Sequence, residues 1–83
     1  MTALTFQEPV LIASWWKNRS GDAARVQLRT YQGRNIIDIR IWRADRYGIM
    51  RPSTNGFACA IKQIPKLASA MALAPRKVDE LGL

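Results

Sequence analysis

Arg29, Tyr31, Arg34, Arg40 and Trp42 fall within the stretch RTYQGRNIIDIRIW, residues 29–42. A guanidinium offers a planar fork of donors that pairs with phosphate in a bidentate way and stacks on π faces. Tyrosine and tryptophan add ring faces with one polar edge. Such a set suits recognition of an anion carrying flat rings better than bond breaking. The chain has no His, so the commonest general base is absent, and Asp22, Asp38 and Asp45 are too scattered to suggest a converging two-metal site. No Gly-rich phosphate loop is present. A single Cys59 without His cannot build a zinc cluster or an intramolecular disulfide. We therefore expect no enzyme, no catalytic residue, no metal and no cofactor.

The elements that must position these residues follow from periodicity. VLIASWW (10–16) is short, apolar and aromatic, which favours a strand, and KNRSGD (17–22) supplies turn chemistry. Residues 23–31 alternate Val26, Leu28 and Thr30 against Gln27, Arg29 and Tyr31, the period of a half-buried strand. With Gln32 and Gly33 as a two-residue turn, Tyr31 opposes Arg34 and every cross-strand pair sums to 65. Leu28 then meets Ile37 and Val26 meets Ile39 on one face. Arg25, Gln27, Arg29, Tyr31, Arg34, Ile36, Asp38, Arg40 and Trp42 share the other.

Further on, RADRYG (43–48) reads as a connection, IMRPS as a short strand, TNG (54–56) as a turn and FACAI (57–61) as a last strand. From Lys62 the period becomes helical: Ile64, Leu67, Ala68 and Met71 recur at three to four residues. Pro75 is expected to end this helix or start a new turn, with RKVDELGL (76–83) open to a brief second helix before fraying. The expected organisation is a flexible N-terminal arm over 1–9 and one domain over 10–83, with a sheet over 10–61, a helix over 62–74 and a short tail over 75–83. The fold class is α+β: a curved antiparallel sheet of four to five strands, with a C-terminal helix covering the apolar face.

Composition bounds the partner. Thirteen Lys and Arg against six Asp and Glu leave a net charge of +7, which favours phosphates over a neutral ligand. A chain of 83 residues buries a modest share of its surface, so self-association is expected. No apolar run approaches a membrane span, and the opening MTALTFQEPV lacks the pattern of a signal peptide, so a cytoplasmic protein, nucleoid-associated if prokaryotic, is expected. A basic sheet face with interleaved rings is a means of holding single strands, cations following phosphates and rings stacking on bases. Plainer roles compete for some of these residues. Strand arginines also serve as solvated guards against aggregation, Tyr31 can cap the hairpin, and a bulge would carry Trp42 into the core. Trp15 and Trp16 must take opposite faces, one in the core and the other on a base or in a subunit interface. Asp38 suits orienting a guanidinium, and Cys59 suits a small buried position.

VQLRTYQGRNIIDIRIW followed by GIMRPSTNGFACAI resembles the C-terminal domain of the transcriptional coactivator positive cofactor four, with its bacterial relatives. The match runs without a gap over residues 24–67, with Gly33, IDIR at 37–40, Gly48, Met50, Pro52, Gly56 and Leu67 in place. The resemblance implies a curved four-stranded sheet followed by a helix, dimerising through the helical side, with grooves that hold single-stranded DNA or melted duplex without strong sequence preference. Its DNA-contacting positions match Arg29, Tyr31, Arg34, Arg40 and Arg51. Two positions depart from the family: Trp42 followed by Arg43 replaces an aromatic pair, and STNG replaces a basic cluster. Pattern and resemblance together nominate Arg29, Tyr31, Arg34, Arg40, Trp42, Arg51, Arg43 and Lys17 for nucleic acid, and Leu67, Ala68, Met71 and Ala72 for a homodimer interface. The expected function is sequence-non-specific single-stranded DNA binding in transcription, replication or repair, with transcription machinery as a further partner. An RNA-binding protein and a protein-interaction module with an acidic partner stand as alternatives. A membrane-surface role ranks last.

Overall fold

The computed structural model describes residues 5–83, so residues 1–4 of the expected arm lie outside the described residues. Four strands, β1 (Val10–Trp16), β2 (Ala23–Tyr31), β3 (Arg34–Ala44) and β4 (Met50–Ala60), form one antiparallel sheet in chain order. A 3₁₀ turn, Ile61–Gln63, leads into a single helix, α1 (Ile64–Glu80). The chain is flat, 48 × 40 × 17 Å, with a radius of gyration of 15.3 Å. A compact domain of this length has a radius near 12 Å.

The β2–β3 hairpin has the expected register throughout, from Tyr31 opposite Arg34 to Ala23 opposite Trp42. Gln32 and Gly33 both take positive φ, 51° and 76°, the twist that matches two strands joined by so short a turn. β1 pairs with β2 through a one-residue irregularity: Leu11 opposes Gln27 and Ala13 opposes Val26, leaving Ile12 as the extra residue.

Where a turn and two strands were expected over 49–61, there is one strand. TNG bends β4 without ending it. Partner numbers sum to 96 from Ile36 to Arg40 and to 94 from Trp42 to Ala44, so β4 carries two additional residues opposite Ile41. Ser53 closes the bulge, its Oγ donating to the Ile41 carbonyl at 2.7 Å and accepting from the Asn55 N–H at 3.1 Å. As an edge strand, β4 tolerates Pro52 and Gly56, which a central strand would not.

The helix also runs beyond its expected end. Pro65 sits in the first turn, where its missing N–H costs nothing, but Pro75 lies inside α1 and the segment expected as a tail is helical. The carbonyl of Met71 loses its partner across Pro75; that residue is 65% exposed, so water can take the place of the donor. The stop is Gly82, φ 70°, where the Gly82 N–H reaches the Asp79 carbonyl and the Leu83 N–H the Val78 carbonyl, a Schellman closure.

The apolar face of the sheet is only partly covered. The first half of α1 lines one side of an apolar groove of about 390 Å³, facing Val26, Ile37 and Ile39, without closing it. Trp15 and Phe57, which also line it, remain about half exposed. Among the described residues only Ala23, Ala24, Ile37 and Asp38 are buried. Residues 5–9, expected to be loose, include one anchor: the Phe6 N–H donates to Thr30 Oγ1 at 2.7 Å.

The β3–β4 turn is built on Asp45. Its Oδ1 accepts from the Tyr47 and Ile49 N–H groups at 2.8 and 3.0 Å, and its Oδ2 lies 3.2 Å from Arg51 Nε. The backbone hydrogen bond from Ile49, with that from Tyr47 and the side-chain bond from Arg51, holds its carboxyl below the usual carboxylate range despite some desolvation. A group with a depressed folded pKa stabilises the fold above its unfolded value of about 4 and loses that contribution as pH falls through the folded value. Denaturant melts of Asp45→Asn should therefore show lower stability than wild type at pH 7 and a gap that narrows below about pH 4. Gly56 gives a second expectation. A Cβ there would collide with the Ile39 carbonyl oxygen and lie 2.7 Å from Arg40 Cα, both set by the central hairpin. Gly56→Ala should cost about 1–3 kcal/mol in urea unfolding.

Candidate nucleic-acid interface

The face opposite the apolar groove consists of rows that cross the sheet. Tyr31 and Arg34 form the row nearest the hairpin turn, Arg29 and Ile36 the next, then Gln27 beside Asp38, Arg25 beside Arg40, and Ala23 beside Trp42. β1 extends these rows with Ser14 next to Arg25 and Trp16 next to Ala23. β4 adds only small groups, Ala60, Ala58 and Gly56, before Pro52. The floor on that side is therefore low, and the long side chains stand on β2 and β3.

Asp38 is the one buried charge on this face, 7% exposed. Its Oδ1 accepts from Arg40 Nε at 3.0 Å, and its Oδ2 forms an ion pair with Arg29 Nε at 3.2 Å, outside hydrogen-bond alignment. Arg40 also donates Nη1 to the Ser53 carbonyl at 3.0 Å. The carboxylate thus holds two guanidinium groups by their inner nitrogens, as the sequence suggested. A buried charge is stable only when paired, and this one has two cations.

Arg25 and Arg40 oppose each other directly, an arrangement that like charges disfavour. The pair is relieved in two directions. Arg40 is drawn to Asp38, and Arg25 lies over the Trp42 ring at 4.4 Å from its centroid, a cation–π stack. Trp42 is half-buried on the basic side, so the bulge that could have carried it to the core lies in β4 instead. Arg29 stands over Tyr31 at 5.4 Å, and Tyr31 is 53% exposed. Tyr31, Arg34 and Ile36 line one side of an open groove of about 530 Å³ at the hairpin end, with Ala58 and Ala60 on the other.

Of the expected residues, Arg29, Tyr31, Arg34, Arg40 and Trp42 come together on one face. Arg43 and Arg51 do not. They are opposite partners, and the register places them on the side of Ile39 and Ile41. Each has its own carboxylate: Arg43 is 3.6 Å from Asp22 and Arg51 is 3.2 Å from Asp45. The reason is parity, since Arg43 is an odd step from Arg40 and Trp42 along a regular strand. Lys17 lies in the β1–β2 connection, past Trp16, where its N–H bonds the Asp22 carbonyl. One cation and one ring of the face, Arg25 and Trp16, were absent from the nominated set. Arg25 was visible in the hairpin register, whereas Trp16 could be placed only once the bulge at Ile12 was known. On the other face, Leu67, Ala68 and Met71 line the apolar groove; Ala72 does not. Among the described residues, no group of three or more His, Cys, Asp or Glu could hold a metal ion, and no helix is long and apolar enough to cross a membrane.

Comparison with known proteins agrees with this architecture. No protein of curated function matches the sequence. Among solved structures, the chain is similar to BPSL1147, a PC4 homologue from Burkholderia pseudomallei, in its orthorhombic form: 25% identity, 88% of this chain and 97% of that one, TM-score 0.71. The tetragonal form gives the same identity and TM-score over 82% and 98% of the two chains. The bacteriophage T5 homologue of the eukaryotic transcription coactivator PC4, implicated in recombination-dependent DNA replication, shares the fold at 18% identity, over 92% and 96% of the two chains, with a TM-score of 0.62. The sequence profile of the family described as Transcriptional Coactivator p15 (PC4) matches residues 18–70, which takes in the whole basic hairpin and the start of the helix. With well over half of the sequence covered and the sheet and helix in the same order, the chain belongs to the Transcriptional Coactivator p15 (PC4) family.

Proposed function

We propose that the protein binds single-stranded DNA without sequence preference, as a homodimer, in transcription or DNA replication. The observation that carries this reading is the face on which Asp38 fixes Arg29 and Arg40 between the exposed ring of Tyr31 and the half-buried ring of Trp42. Held through Nε, Arg29 keeps its outer N–H donors for phosphate, and Arg40, whose Nη1 already donates to the Ser53 carbonyl, keeps Nη2; the rings beside them offer stacking without base-specific hydrogen bonds. Duplex DNA hides its base faces in the stack, so an unpaired strand fits this face better. Family membership supports the same reading, and the T5 relative, implicated in recombination-dependent replication, supports a replicative setting.

The homodimer rests on what one chain leaves undone. Its apolar groove is lined by carbon on sheet and helix alike, and a radius of gyration of 15.3 Å is large for 83 residues. A second copy laid against that side would bury Leu67, Ala68 and Met71 and leave both basic faces outward. The role is one of binding rather than catalysis.

The test is a salt titration of binding to a fluorescent oligo-dT of about 20 nucleotides, with duplex and RNA of equal length as competitors. The logarithm of affinity should fall linearly with that of salt, at about 0.7 per phosphate engaged, with single-stranded DNA preferred over duplex. Arg40→Ala should weaken binding and lower the slope by about one phosphate, while Tyr31→Ala should weaken it about 5- to 100-fold at unchanged slope. Equal, weak binding to all three polymers that vanishes at moderate salt would reject the reading. Asp38→Asn adds one unit of positive charge to the molecule, yet it should weaken binding because Arg29 and Arg40 lose their common anchor. Tighter binding by a folded Asp38→Asn protein would show that charge alone governs affinity.

A further inference from the structure

We propose that Trp16 is a base-stacking surface, and that Trp42, one strand further in, serves as the platform that holds Arg25 for the adjoining phosphate. The proposal rests on the single-strand reading above and assigns the ligand at one end of the face: an unpaired nucleobase with its phosphate.

Three observations converge. The first is position. The bulge at Ile12 sets Trp16 opposite Ala23, and Ala23 opposite Trp42, so both indoles rise from the basic side with only a methyl group between them. Adjacent strands lie about 4.8 Å apart, which places the two tryptophan positions roughly 10 Å from each other.

The second is availability. Trp16 is 70% exposed and has no cation over its ring among the described residues. Trp42 is half-buried and one face of its ring carries the Arg25 guanidinium at 4.4 Å. Of the two indoles, Trp16 is the one with open π surface.

The third is the division of the neighbouring pair. Trp15 points the other way and lines the apolar groove with Phe57 and Met71, the side a second subunit would cover. The demand for an aromatic at the subunit interface is met by Trp15, which leaves Trp16 on the side of the arginines. Arg25 completes the station. Its Nε is shielded from solvent and makes no hydrogen bond among the described residues, so stacking on Trp42 is what fixes the group, on the sheet face that the register shares with Trp16. A base on Trp16 and its phosphate beside Arg25 would continue the path that Arg40, Arg29 and Tyr31 begin.

Binding of oligo-dT by the full chain, read by tryptophan emission at one moderate salt concentration and by affinity across a salt titration, tests this. Trp16→Ala should weaken binding about 5- to 100-fold at an unchanged salt slope, since stacking rather than charge is lost. Trp16→Phe, which keeps a ring, should retain most of that affinity but lose most of the emission quenching caused by the oligonucleotide. Circular dichroism confirms that each variant is folded. Wild-type affinity in Trp16→Ala, or undiminished quenching in Trp16→Phe, overturns the proposal. If Arg40→Ala is weakened in the same assay, the single-strand reading survives that failure. If Arg40→Ala and Tyr31→Ala also bind as wild type, both fall together.

Discussion

Two consecutive positive φ angles, at Gln32 and Gly33, decide which side of the sheet each side chain of the central hairpin occupies. A strand has period two, so a slip of one residue would exchange the faces and put the arginines against the helix. The turn prevents that slip, and the apolar pairs Val26 with Ile39 and Leu28 with Ile37 reinforce it from the other end. β1 and β4 are then added to a template whose sidedness is already settled. Gln32 adopts the left-handed conformation without the freedom of glycine, which costs about 1–2 kcal/mol; the nine pairs of the hairpin offset that cost.

Each face is incomplete in its own way. On the basic side, four arginines stand close together on two strands, and their mutual repulsion is moderated by one buried carboxylate and two rings. Asp38 takes Arg29 and Arg40, and Trp42 takes Arg25. On the apolar side, a groove lined by carbon remains open to water. A protein with so few buried residues gains from occupants on both sides, a polyanion on one and hydrocarbon on the other. The two demands do not conflict, because no side chain of the central hairpin serves both.

Legibility in the sequence followed the strength of local rules. The hairpin was readable residue by residue because turn chemistry and alternation pointed to the same register, and Asp38 could be assigned to the arginines from that register alone. β4 was not readable as one strand: TNG has the composition of a turn, and it is the pairing with β3 on both sides of it, with Ser53 bonded to Ile41 and Arg40, that shows the chain bending and continuing. The helix was cut short at Pro75 because proline disfavours a helix interior, while the Schellman stop at Gly82 lay further on in a segment with weak periodicity. Arg43 and Arg51 were nominated through charge and resemblance, whereas parity and their pairing with Asp22 and Asp45 set them on the other side.

The extra residue at Ile12 acts on two side chains that are chemically identical and adjacent. In an unbulged β1, the pairing that sets Leu11 opposite Gln27 would bring Trp15 to the side of Ala23 and send Trp16 to the apolar groove. One inserted residue in an edge strand therefore works as a selector. It adds no charge, yet determines which indole is given to the solvent-facing surface and which to hydrocarbon. A deletion at this point is therefore, for this chain, equivalent to exchanging the places of Trp15 and Trp16.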